Sequence, residues 1–89
     1  MAWKIEFHPA TQKELRALSG EDRKRVFRFL RERVASREDP RGIGGPLRGP
    51  ELGRLWKYRV GPMRVVCDIQ DKRIVILVLR VAHRKEVYR

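Results

Sequence analysis

Eighty-nine residues with a formal net charge of +11 make one small domain that can bury one modest core and attracts polyanions strongly. Charged residues at 37% and hydrophobic residues at 42% exclude a fibrous or disordered chain. The single cysteine, Cys67, excludes an internal disulfide. No N-terminal signal peptide is visible, and the apolar run at 74–79 is too short to span a bilayer. The expectation is one cytoplasmic domain over residues 1–89, with a nucleic acid or an acidic protein as partner and no membrane.

Trp3, Ile5 and Phe7 alternate with Lys4 and Glu6, which predicts a first strand. Pro9 ends it and suits the first turn of a helix running to Leu18. Ser19-Gly20 breaks that helix, and Ser19 can cap a second one, predicted over 21–35, with Asp22 three residues on. Val26, Phe29, Leu30 and Val34 form its buried stripe, leaving Arg25, Arg28 and Arg31 as a solvated face. Residues 37–54 carry five glycines and three prolines and read as a long irregular connection, with Leu47 and Leu52 pinning it to the core.

Leu55 to Val60 mixes aromatic, β-branched and basic residues and stops at Gly61-Pro62, which predicts a strand entering a two-residue type II′ turn. That turn sets Val60 against Met63, Arg59 against Arg64 and Tyr58 against Val65. Trp56, Tyr58, Val60, Met63, Val65 and Cys67 then share one face, with Cys67 a buried structural thiol, and Lys57, Arg59 and Arg64 converge on the other. Opposed like charges are costly unless something anionic sits there. From Arg41 to Cys67 there are six basic residues (Arg41, Arg48, Arg54, Lys57, Arg59, Arg64) and one acid, Glu51. After a turn at Asp71-Lys72, residues 73–81 form a strand apolar on both faces, expected at the centre of the sheet. The fold class is α+β: an N-terminal strand, a two-helix hairpin, then a three-stranded antiparallel meander, with the helices on one face of a single sheet.

His8 and His83 stand far apart without a Cys or carboxylate cluster, so no metal or other cofactor is expected. Cations with His83 and Tyr88 suit phosphoryl chemistry on RNA, in which a 2′-hydroxyl attacks the neighbouring phosphodiester and arginines hold the transition-state charge. Lys57, crowded by Arg59 and Arg64, is the candidate base. His83 is a candidate for proton transfer or a plain surface histidine, and Tyr88 either stacks on a splayed base or packs on the sheet edge.

The run Leu55-Trp56-Lys57-Tyr58-Arg59-Val60-Gly61 resembles the RelE branch of the RelE/ParE toxin superfamily. The resemblance takes in Arg64-Val65-Val66, the strand at 74–81 and His83-Arg84-Lys85-Glu86-Val87-Tyr88. Ile5-Glu6-Phe7-His8-Pro9-Ala10 and Pro46-Leu47-Arg48-Gly49 extend it over nearly the whole chain. It implies a toxin that enters the ribosomal A site and cuts messenger RNA without a metal, inhibited by an acidic antitoxin, with operator DNA bound only through the antitoxin complex. Position by position, it makes Lys57 a catalytic lysine and puts Arg59 where RelE itself has a second lysine. Arg64 becomes the phosphate-binding arginine, Arg84 or His83 the general acid, and Tyr88 the tyrosine that stacks on the messenger base. Arg48, Arg54 and Lys85 are further expected RNA contacts. Pro62-Met63 departs from the polar-aromatic pair before the arginine, and the segment after Val81 is shorter than in RelE. A ParE-like inhibitor of DNA gyrase and a non-catalytic basic nucleic-acid-binding module are the alternatives.

Overall fold

In a computed structural model, which describes residues 2–49 and 54–83, two helices cover one face of a five-stranded sheet of order β1-β5-β4-β3-β2. The strands are β1 (Lys4–Phe7), β2 (Gly45–Pro46), β3 (Trp56–Val60), β4 (Met63–Gln70) and β5 (Val75–His83). β1 runs parallel to β5, and the remaining neighbours are antiparallel. The expected α+β arrangement holds, with one strand more than expected. A Gly-Pro pair reads as a breaker, yet Gly45 and Pro46 pair with Lys57 and Trp56 at the sheet edge, where a proline's missing N–H costs nothing.

Helix α1 (Pro9–Ala17) starts as its proline predicts, and the His8 ring accepts the Ala10 N–H as its cap. Helix α2 (Gly20–Phe29) is capped by Ser19 Oγ, which accepts the Asp22 N–H at 3.1 Å. The α-helix ends earlier than expected. Leu30–Val34 continue as a π-turn, closed by Ala35 N–H to the Leu30 carbonyl at 2.8 Å. The wider turn brings both Val34 and Ala35 into the core. There they join Val26 and Leu30 against Tyr58, Val60, Met63, Val65, Cys67, Ile76, Val78 and Val81. Among the described residues no helix is long and apolar enough to cross a membrane.

β5 lies between β1 and β4, an interior strand as its apolar run requires though second from the edge, and it starts two residues later than expected and runs to His83. Ile74 has φ +54° and closes the turn after β4, costly for a β-branched residue. A bulge then interrupts the β4–β5 ladder. Val66 opposes Arg80 while Cys67 opposes Val78, so Leu79 is the extra residue. β1 stops at Phe7, and α1 takes over the edge beyond it. The buried Thr11 hydroxyl lies 2.9 and 2.7 Å from the carbonyls of Val78 and Leu79, and Glu14 accepts the Val81 N–H at 2.9 Å. Backbone groups that the bulge and the missing neighbour would leave open are thus satisfied by one helix.

Candidate functional site

The hairpin register is the expected one: Val60 opposes Met63, Arg59 opposes Arg64 and Tyr58 opposes Val65. Gly61, at φ +57°, supplies the turn. Tyr58, Val60, Met63, Val65 and Cys67 are buried beneath the helices, with Trp56 packed against them. Lys57, Arg59 and Arg64 accordingly share the helix-free face, where they line a cleft of about 190 Å³ with Gly44 and Gly45.

Half-buried Trp56 and buried Tyr58 hold the cleft's outer wall. Trp56 Nε1 donates to the Ile43 carbonyl at 2.7 Å, and the Tyr58 hydroxyl donates to the Pro40 carbonyl at 2.7 Å. Burial raises the Tyr58 pKa, keeping the phenol protonated as a donor. Gly44, at φ +79°, lies so close to β3 that a Cβ there would sit 2.3 Å from the Lys57 carbonyl oxygen. Gly45 opposes Lys57 and has no side chain to fill the space above it. This glycine pair sets the width of the cleft. Nothing but the abundance of glycine in 37–54 signalled it in the sequence.

The other expected cations divide. Arg41 is framework: its guanidinium meets the Asp71 carboxylate through two bonds of 3.0 and 2.9 Å. Asp71, hydrogen-bonded there, is held below the usual carboxylate range, and Arg41 is raised in turn. Arg48 and Arg54 are exposed beside Leu47 and Leu55, whose backbones are joined by a 3.1 Å bond, and neither lines the cleft. His83 is not brought to the cations. It opposes buried Met63, so it lies on the helix side, beside Glu14, Ser19 and Asp22. The bulge is the reason, since the inserted Leu79 shifts every later β5 residue to the other face. Arg84, Lys85 and Tyr88 lie outside the described residues, as does Leu52. Leu47 does not reach the core. With Leu55, Val66, Leu79 and Ala82 it lines an apolar groove of about 430 Å³ on the helix-free face, flanked by Arg64 and Arg80. Arg80 Nε in turn donates to Glu14 at 3.2 Å.

Chemically, the cleft offers one ammonium and two guanidiniums from adjacent strands and no carboxylate, a set that fits a phosphodiester. The sequence model describing the ParE toxin of type II toxin–antitoxin systems matches residues 5–88. No curated protein sequence matches the chain. Among solved structures, a double arginine-to-alanine variant of the free Escherichia coli toxin RelE is 31% identical. That match spans 99% of this chain and 92% of the other, with a TM-score of 0.75. The toxin–antitoxin complex RelBE2 of Mycobacterium tuberculosis superposes with a TM-score of 0.84 at 26% identity, over 94% of this chain and 93% of that one. The archaeal RelE–RelB complex from Pyrococcus horikoshii gives 0.68 at 26% identity, over 94% and 97%. The chain belongs to the RelE/ParE superfamily of type II toxin–antitoxin toxins, on its RelE branch.

Proposed function

We propose that this toxin is a ribosome-dependent endoribonuclease that cuts messenger RNA in the A site. The observation that carries the reading is the gathering of Lys57, Arg59 and Arg64 around one open cleft. A scissile phosphate held between Arg59 and Arg64 places its flanking 2′-hydroxyl within reach of Lys57. Lys57 takes the proton, O2′ bonds to phosphorus, and the P–O5′ bond breaks, leaving a cyclic phosphate and a 5′-hydroxyl. The two guanidiniums stabilise the charge that grows on the phosphoryl oxygens. Arg59 stands where a lysine would offer a second ammonium, and its planar guanidinium acts as an electrostatic clamp on the phosphate. The leaving oxygen needs a proton donor, for which family resemblance points to Arg84, with Tyr88 stacking on the base.

An acidic antitoxin is the proposed inhibitor, supported by the RelE–RelB complexes among the structural relatives. Arg64 lines both the cleft and the apolar groove. An amphipathic acidic segment seated in the groove therefore covers a catalytic arginine, and operator DNA would be reached only through that complex.

Purified toxin on programmed ribosomes, with messenger 5′ ends mapped, tests the reading. Cleavage at the A-site codon, reduced at least about 100-fold in folded Lys57→Ala or Arg64→Ala, is expected. The second reading is a ParE-like inhibitor of DNA gyrase, kept because the matching family model is that of the ParE toxin. Blocked supercoiling with intact messenger would establish it and refute the first.

A further inference from the structure

The hairpin tip is cationic on its helix side as well. The Arg25 side chain crosses the Gly61–Pro62 turn so closely that a Cβ on Gly61 would lie 2.6 Å from its Nη1. Arg25, Arg28 and Arg33 meet Arg59 around a depression of about 390 Å³ floored by Phe29 and Val60. The nearby acid, Glu32, is engaged by Arg31 at 3.7 Å. Among the described residues the ion pairs fall on Arg31, Arg41, Arg73 and Arg80, and none reaches these four arginines. Arg25 and Arg28 are neighbours on one helix face, where like charges repel. A solvated face relieves such crowding by mixing signs; here four arginines share the lining with one carboxylate, Glu32.

We propose that this depression is a second phosphate-binding surface, which takes the sugar-phosphate backbone of a folded RNA. It goes beyond the cleavage reading and does not depend on it. Arg59 belongs to both surfaces, so positive potential runs from the cleft over the hairpin tip onto α2. From Arg25 to Arg33 is roughly 12 Å at about 1.5 Å per residue, enough to address several phosphates. Guanidinium forks match paired phosphate oxygens. An acidic amphipathic peptide also needs apolar area to bury, and the groove of Leu47, Leu55, Val66 and Leu79 offers more of it than the floor of Phe29 and Val60 does.

The test is binding of the full chain to an inert 30-nucleotide RNA hairpin, titrated with potassium chloride. Each lost phosphate contact lowers the slope of log affinity against log salt by about 0.7 to 0.9. The exposed triple variant Arg25→Gln/Arg28→Gln/Arg33→Gln is therefore expected to lose roughly 2 to 3 from the slope, and at least about tenfold in affinity at low salt. Lys4→Gln/Lys13→Gln/Arg16→Gln removes equal charge from exposed positions away from the tip and is expected to change the slope by less than about 1. An unchanged slope in the first variant, or equal loss in both, overturns the proposal. An unchanged RNA slope with weakened binding to poly-glutamate also overturns it, assigning the surface to an acidic protein. Since nothing is cut in this assay, its outcome is separable from that of the ribosome experiment.

Discussion

Gly44 and Gly45 are adjacent, yet a methyl group on each should do opposite things. At Gly44 the added Cβ would lie 2.3 Å from the Lys57 carbonyl and 2.9 Å from both Trp56 Nε1 and Tyr58 Cδ1. Backbone and two ring systems form that wall, so little can give. The left-handed conformation at φ +79° adds about 1–2 kcal/mol for any residue with a Cβ, and forced overpacking about 1–3 kcal/mol. A loss of roughly 2–5 kcal/mol is a large share of the 5–15 kcal/mol that holds a typical domain together. At about 4–8 °C per kcal/mol, Gly44→Ala should lower Tm by at least about 8 °C in calorimetry. At Gly45 no heavy atom lies within 4 Å, and the methyl would project beside Lys57 into the cleft. Gly45→Ala should keep the parent Tm within about 4 °C but reduce turnover, and Gly45→Val should reduce it further. A Gly44→Ala protein as stable as the parent, or a Gly45→Ala protein destabilised as much, would refute this account of the cleft wall.

Thr11→Val removes the buried hydroxyl from the β5 bulge and should cost about 1–3 kcal/mol in urea unfolding, because the Val78 and Leu79 carbonyls lose a donor. Burial pushes the Cys67 thiol up to about 12, so a thiol reagent at pH 8 should label it only in denaturant. A raised folded-state pKa also means that this thiol's contribution is complete below about pH 8.5 and fades as pH climbs toward 12. The alkaline loss of stability should therefore be shallower in Cys67→Ala. A double-mutant cycle on Arg41→Gln and Asp71→Asn should give about 0.5–1 kcal/mol at pH 7, a modest value for so exposed a pair. With the Asp71 pKa lowered in the folded state, that coupling is present above about pH 4 and should vanish as pH falls below it.

The hairpin was legible because its determinants are local. Gly61-Pro62 pins the turn, the turn pins the register, and the register puts every second residue of 56–67 on one face. The features that escaped are those set across the chain. The bulge at Leu79 has no residue of its own to announce it, since it is stabilised by Thr11 and Glu14 from the first helix. Without it in view, His83 could be placed with the cations it turns away from. Arg41 looked like one more phosphate-side cation because its partner, Asp71, is thirty residues downstream. Arg25 and Arg28 read as solvated because a helix pattern shows which face is polar, not that a hairpin tip will meet that face.

These misplacements together reveal how the charge is distributed. Among the described residues, three acids form ion pairs that brace the framework. Asp71 holds Arg41 to the long connection, Glu6 meets Arg73 at the turn before β5, and Glu14 braces Arg80 at the bulge. Each of these pairs ties together segments distant in sequence. At the hairpin tip, Arg25, Arg28, Arg33, Arg59, Arg64 and Lys57 lie on or beside two strands and one helix, accompanied by Glu32 alone. A net charge of +11 spread evenly would draw the protein to any polyanion in any orientation. Concentrated at one tip, it also orients the approach, so that first contact already brings the cleft to a phosphate backbone. Arg25, Arg28 and Arg33 can then hold the RNA while Lys57, Arg59 and Arg64 act on a single bond.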